Sequence, residues 1–353
     1  MVKLLMLSET SLFREIYEQP AVIGRFLANA RASVQALAQA IQTSGIDHIV
    51  IAARGTSDNA GRYAKYVLGS RNGLQVALAT PSLFSIYDRP VQFGNALVLG
   101  ISQSGQSPDI VAVLAEARKQ GKLTAAITNT PESPLAHSAD FVINLHAGNE
   151  QAVAATKTYT SSLAAIALLS ALLSGEQQAF VELDMVADAM RRTLTVAPQI
   201  KQIAPRYRYM QHCVVIGRGY NYATAFEVAL KMKELTYSIV EPYSSADFLH
   251  GPFALIESGF PVIVIAPRGR LSGEMQTFVE KLGASSAETI IMSDDKTLLN
   301  AATIPLPLPA SLPEWLTPFT TILYGQLLAL ELAHARGFNV DAPRALNKVT
   351  ETR

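Results

Sequence analysis

The stretch H-I-V-I-A-A-R-G-T-S-D-N-A, from His48 to Ala60, returns as H-C-V-V-I-G-R-G-Y-N-Y-A-T from His212 to Thr224. His48 falls on His212, Arg54 on Arg218 and Gly55 on Gly219, an offset of 164 residues. The register continues without a gap. Val98 and Ile101 fall on Val262 and Ile265, Gly105 falls on Gly269, and T-A-A-I-T-N at Thr124 falls on E-T-I-I-M-S at Glu288. Three segments in one register indicate duplication, and so long a period means two similar domains rather than a solenoid.

Working outward, each half alternates short apolar runs with helical patterns. In the first half the runs are His48–Ala53, Leu97–Ser102, Thr124–Thr128 and Phe141–Leu145. Helical spacing is expected over Asn59–Leu68, over Pro108–Gln120 (closed by Gly121) and over Ala152–Leu173, whose counterpart is Glu314–Ala335. Apolar strands alternating with helices predict an α/β fold, each half a mostly parallel, doubly wound sheet covered on both faces. Leu12–Thr43 reads as helical, and Glu176–Pro205 as a helical connector. The expected organisation is a helical segment at 1–45, a first domain at 46–195, a second at 196–340 and a tail at 341–353.

Composition narrows the function. The 353 residues are 49% hydrophobic, ample for two cores, and 29 Lys and Arg balance 29 Asp and Glu. Zero net charge argues against a nucleic-acid or polybasic membrane binder. Cys213, the one cysteine, excludes an internal disulfide and a Cys-rich zinc site. No signal-peptide pattern opens the chain, and the apolar run Leu163–Leu173 is about half of a membrane span. A cytoplasmic protein with no membrane partner is expected.

Ligands of open parallel sheets bind beyond the carboxyl ends of the strands. Three loops qualify: R-G-T-S-D-N after the first strand, S-Q-S-G-Q-S-P-D from Ser102, and G-N-E-Q-A-V-A-A-T-K before the helix expected from Ala152. In the second, Ser102, Gln103, Ser104 and Ser107 crowd around Gly105, and Pro108 suits a first helical turn. A Ser-rich turn can simply cap its helix. Its place at a sheet edge, with Thr56 and Ser57 on another loop, favours a site for a phosphate dianion. There is no Walker pattern, and Tyr222 stands where a dinucleotide fingerprint needs glycine, so no nicotinamide is expected; nor does any His pair show metal-ligand spacing.

The second half has A-P-R-G-R in place of the Ser-rich loop. It carries A-L-K-M-K-E-L, where Lys231 and Glu234 share a helix face among apolar neighbours, and further on His250-Gly251-Pro252. A solvated ion pair of this spacing is commonplace. An enclosed one beside a histidine could supply proton-transfer groups.

Taken in order, G-T-S at Gly55, S-Q-S-G-Q-S at Ser102, A-A-T-K at Ala154, G-R-G at Gly217, L-K-M-K-E at Leu230, H-G-P at His250 and the tail D-A-P-R-A-L-N-K-V-T resemble the sugar isomerase (SIS) superfamily, in particular the isomerase half of glucosamine-6-phosphate synthases. The likeness spans nearly the whole chain past residue 45 and implies two tandem, flavodoxin-like SIS domains. It also implies residue roles. Ser102, Gln103, Ser104 and Ser107 hold a sugar phosphate, with Ser107 in place of the usual Thr. Thr56, Ser57, Val153 and Ala154 contact the sugar. Glu234 moves a proton between C1 and C2, supported by Lys231. His250 opens the pyranose ring from across a homodimer interface, and Lys348 is the amine that meets the ketose carbonyl. No metal or organic cofactor is implied. Ala155 stands where the family has Ser, Leu249 replaces a Lys, and the tail is one residue shorter after Lys348.

The family's synthases draw ammonia from a glutaminase domain that starts with a nucleophilic cysteine, whereas Cys213 lies in an apolar strand. Deamination is therefore expected: glucosamine 6-phosphate to fructose 6-phosphate and ammonia. Alternatives are a deaminase or deglycase of galactosamine 6-phosphate or fructosamine 6-phosphate, an ammonia-using synthase, and a non-catalytic phosphosugar sensor.

Overall fold

The computed structural model describes residues 6–309 and 312–348. By its contacts the chain divides into two compact units. One, the first-repeat unit, comprises residues 18–151, 155–184 and those from 347; the other, the second-repeat unit, comprises residues up to 17, 152–154 and 185–346.

The N-terminal helical segment is two helices, α1 (Ser11–Asn29) and α2 (Arg31–Thr43), meeting at Ala30. The first repeat follows as β1 (His48–Ala52), α3 (Gly55–Asn72), β2 (Gln75–Leu78), α4 (Ser82–Ser85), β3 (Ala96–Ile101), α5 (Pro108–Lys119), β4 (Leu123–Thr128), α6 (Pro134–His137), β5 (Phe141–Asn144) and α7 (Lys157–Ser174). Its five strands lie in the order β2-β1-β3-β4-β5, all parallel. Every residue of β3 is buried, which explains why the strand is a continuous apolar run. Helix α7 is buried on nearly all sides and is apolar over most of its length past Ser162; α2 and α3 pack against it.

The connector is broken into α8 (Gln177–Asp184), α9 (Val186–Thr193) and α10 (Ala197–Ile203). The second repeat contains β6 (His212–Gly217), α11 (Asn221–Thr236), β7 (Ile239–Tyr243), α12 (Ser245–Leu249), β8 (Pro261–Ile265), α13 (Ser272–Ala284), β9 (Glu288–Ser293), α14 (Lys296–Ala301), β10 (Ile304–Pro307) and α15 (Pro318–Ala335). The strand order β10-β9-β8-β6-β7 is the same topology as in the first repeat, read from the other edge. Cys213 is buried in β6, and burial pushes its thiol up to about 12.

Two expected helices start late. The Ala-rich run from Ala152 is loop, and α7 begins only at Lys157; Glu314–Leu316 forms a separate short turn before α15. Helix propensity loses at α7 because the Glu150 carboxylate satisfies the N–H groups of Thr156 and Thr158, a cap that fixes where the helix begins. Conversely, α3 starts at Gly55, four residues before the expected Asn59, with Gly55 itself at φ +52°. Among the described residues no helix is long and apolar enough to cross a membrane.

Candidate active site

In the first-repeat unit the chain leaves β1 toward β2 on one side and reaches β3 on the other. The carboxyl ends of β1 and β3 therefore flank the crevice where open sheets of this order bind ligands. Both polar loops sit there. After β1, Thr56 and Ser57 occupy the first turn of α3, half-buried. After β3, residues 102–107 lead into α5. The Arg54 guanidinium ties the starts of α3 and α5 together, donating to the fully buried Asp109 carboxylate at 2.8 Å.

The Ser102–Ser107 loop is held in shape largely by its own hydroxyls. Ser102 Oγ accepts from the Gly105 N–H at 3.1 Å, and Ser104 Oγ from the Gln106 N–H at 3.3 Å. The Gln103 carbonyl accepts from the Asn129 N–H and from the Thr128 hydroxyl. Gly105 has φ +63°, and a Cβ there would stand 2.0 Å from Ser133 Oγ, so only glycine fits. Ser107 is the N-cap of α5, yet its hydroxyl makes no capping bond. An α5 N-terminus with the Ser104 and Ser107 hydroxyls half-exposed beside it has the donors and the dipole that an anion requires.

The matching loop of the second repeat is filled by the protein's own carboxylate. Glu314, the repeat partner of Glu150, accepts from the Arg270 N–H at 3.1 Å, and a Cβ on Gly269 would lie 2.3 Å from its Cδ. Arg218 there is paired with Glu274.

The same first-repeat unit contains Lys348. Its ammonium donates to Glu150 Oε2 at 2.7 Å. Glu150 is fully buried, and its other bonds come from Thr156 N–H, Thr158 N–H and the Thr158 hydroxyl. Burial alone would raise this carboxyl; the Lys348 ammonium and the two N–H groups overcome that and hold it below its ordinary value. Thr156 is fully buried, and its hydroxyl has no hydrogen-bond partner among the described residues.

The second-repeat unit carries Lys231 and Glu234 on α11. Their pair is enclosed rather than solvated: Lys231 is 1% exposed, and its ammonium lies 2.7 Å from Glu234 Oε2 and 3.4 Å from the fully buried Glu227. Burial opposes charge on this amine, but the two carboxylates outweigh it and hold it above its ordinary value. Glu234 keeps about a fifth of its side chain in solvent, so its carboxylate reaches the surface with a buried ammonium behind it.

The structure does not bring every predicted residue together. His250 ends α12, is exposed, and forms no bond to Lys231 or Glu234 among the described residues. Val153 and Ala154 belong to the second-repeat unit, where the neighbouring Ala152 N–H donates to Glu15, whereas Thr56 and Ser57 belong to the first. Sequence reasoning missed Glu150, Thr156 and Glu227. One signal could have found Glu150: in the 164-residue register it falls on a second glutamate, Glu314.

Comparison with known proteins agrees with the duplication. The SIS domain model matches residues 44–172 and again 208–336. The isomerizing glutamine–fructose-6-phosphate aminotransferase of Aquifex aeolicus is 34% identical over 340 residues, which cover 96% of this chain and 57% of that protein. The chain thus spans a little over half the length of the curated relatives it matches. Among solved structures, the C-terminal domain of the glucosamine–fructose-6-phosphate aminotransferase from Francisella tularensis superposes with a TM-score of 0.84 at 28% identity, covering 95% of this chain and 98% of that one. A phosphosugar isomerase structure from Silicibacter pomeroyi gives 0.83 at 31% identity, covering 94% and 100%. With two matching repeats, one parallel five-stranded sheet in each and the motifs in order, the chain belongs to the SIS domain family and is homologous to the isomerase half of the glutamine–fructose-6-phosphate aminotransferases.

Proposed function

We propose that the protein is a phosphosugar aldose–ketose isomerase and deaminase that converts glucosamine 6-phosphate and water to fructose 6-phosphate and ammonia. The observation that carries the reading is the enclosed Lys231–Glu234 pair, a carboxylate that meets solvent on one side and a buried ammonium on the other. Such a group can take and return a carbon-bound proton, while the ammonium keeps it in place through both protonation states.

On this reading Ser102, Gln103, Ser104 and Ser107 bind the phosphate at the α5 N-terminus, and Thr56, Ser57, Val153 and Ala154 contact the sugar. His250 from a second copy opens the ring and frees the C1 aldehyde. Glu234 removes the C2 proton, now acidified by the aldehyde, and returns it at C1 through an enolamine. The product is a C2 imine. Water adds to that imine and ammonia leaves, directly or after exchange of the nitrogen for Lys348. The chain's one cysteine is buried with its thiol pushed up to about 12, so no thiolate of this chain is available to hydrolyse glutamine.

Ammonia release from glucosamine, galactosamine and fructosamine 6-phosphates tests the substrate. Glu234→Gln tests the mechanism. It keeps shape and hydrogen bonding and should lower kcat by about two to four orders of magnitude with little change in substrate affinity. A variant with more than about a tenth of parental kcat would point to another base.

A further inference from the structure

The proton carrier proposed above has a neighbour that the reaction as written does not use. Glu227 lies two turns before Glu234 on α11, is fully buried, and faces the same Lys231 ammonium from the other side at 3.4 Å. A buried ammonium needs a counter-charge at every moment. Glu234 supplies one only while it is ionised, and a residue that takes the C2 proton is neutral for part of each turnover. We propose that Glu227 is a positioning residue, the standing counter-ion that keeps Lys231 charged and in place while Glu234 is protonated, and that it thereby keeps Glu234 basic enough to act. This rests on the reading of Glu234 as the proton carrier.

The charge balance gives the sign. With both glutamates ionised the cluster carries one excess negative charge, and taking up a proton at Glu234 relieves it. With Glu227 neutral, the whole field of Lys231 falls on Glu234, which then resists protonation and is the weaker base. Among the described residues, other charged groups near α11 have partners of their own. On the helix itself Lys233 faces Glu241 of β7. Tyr324 of α15 donates to the Pro307 carbonyl, Glu331 feels Lys201 and His334, and Arg336 beyond the helix binds the Thr236 carbonyl. In β6 the thiol of Cys213 is neutral and His212 is exposed; the ring of Tyr243 in β7 lies tilted against Phe248, and β8 carries no titratable side chain.

The test is the pH profile of kcat in Glu227→Gln beside the parent and Glu227→Asp. The substrate phosphate titrates alike in all three, so a difference belongs to the protein. Glu227→Gln should lose activity, and its acid limb should move down by roughly half a pH unit or more. Glu227→Asp, which keeps the charge, should retain the parental limb. A slower Glu227→Gln with an unmoved limb would show only a packing role and overturn the inference. Parental turnover in Glu234→Gln would remove the mechanism and the inference with it; a dead Glu234→Gln beside an unmoved Glu227→Gln limb would sink the inference alone. Should Glu227→Gln not fold, carboxyl-carbon NMR of the parent, with Glu227 identified by its loss in Glu227→Asp, decides. A Glu227 that stays ionised from pH 8 to about 5 supports the inference, and its protonation within that range overturns it.

Discussion

Glu150 and Glu227 are both buried carboxylates that face a lysine, but they differ in what else they touch. Glu150 accepts two backbone N–H groups and a hydroxyl besides the Lys348 ammonium, and its carboxyl is held below the ordinary value of 4.5. A depressed carboxyl stabilises the fold above its unfolded value and loses that contribution as pH falls through the folded one. Glu150→Gln should therefore be less stable than the parent by chemical denaturation at pH 7, and the gap should close toward about pH 3. A gap independent of pH would mean that the amide fails for shape and not for charge. No motif marks Glu150 in the sequence: it is one acid in a loop, and only folding shows it reaching Lys348 across 198 positions. The enclosed state of Lys231 was easier to read, because the sequence around it is apolar at Ala229, Leu230, Met232 and Leu235, and Ala229, Met232 and Leu235 are buried with it.

At the scale of elements, the position of α11 is set by how closely it and α15 approach. Gly325 of α15 makes that possible, since a Cβ there would lie 2.2 Å from Val228 Cγ2. In an exposed helix, glycine to alanine gains about 1 kcal/mol. Here overpacking, at about 1–3 kcal/mol, is the larger effect, so Gly325→Ala should lower the melting temperature by a few degrees. An unchanged or higher melting temperature would show that the two helices can yield. Central strands were legible to within a residue because they are buried on both faces and run apolar throughout. Of the edge strands, β5 was read to within a residue, whereas β2, β7 and β10 were not. In β2 one residue of four is buried, and β7 alternates burial and exposure around Pro242, so neither presents an apolar run. In β10, Pro305 and Pro307 can be accommodated because the strand pairs on one side only. The late start of α7 was also hidden, since A-V-A-A-T is good helix sequence and the cap that excludes it comes from outside the run.

For the molecule as a whole, the exposed His250 bears on assembly. If a second copy supplies it, Glu234→Gln and His250→Ala are each inactive alone, but a hybrid dimer has one complete site of its two. Equal mixing with exchange should restore about a quarter of parental turnover, read as ammonia release after co-refolding. No recovery, or activity from a strictly monomeric form by light scattering, would place His250 outside a shared site.

The Lys348–Glu150 pair also orders events during synthesis. The first-repeat unit can close its sheet once residues to 184 have emerged, but its lysine comes only after all of 185–346. At roughly 5–20 residues per second, Glu150 waits about 10–40 s for its ammonium. Until then the Thr156 and Thr158 N–H groups and the Thr158 hydroxyl alone hold a buried negative charge. On the proposed reading the nascent chain has its phosphate cradle before it has its amine, so a ribosome-bound protein could hold substrate before Lys348 could act on it.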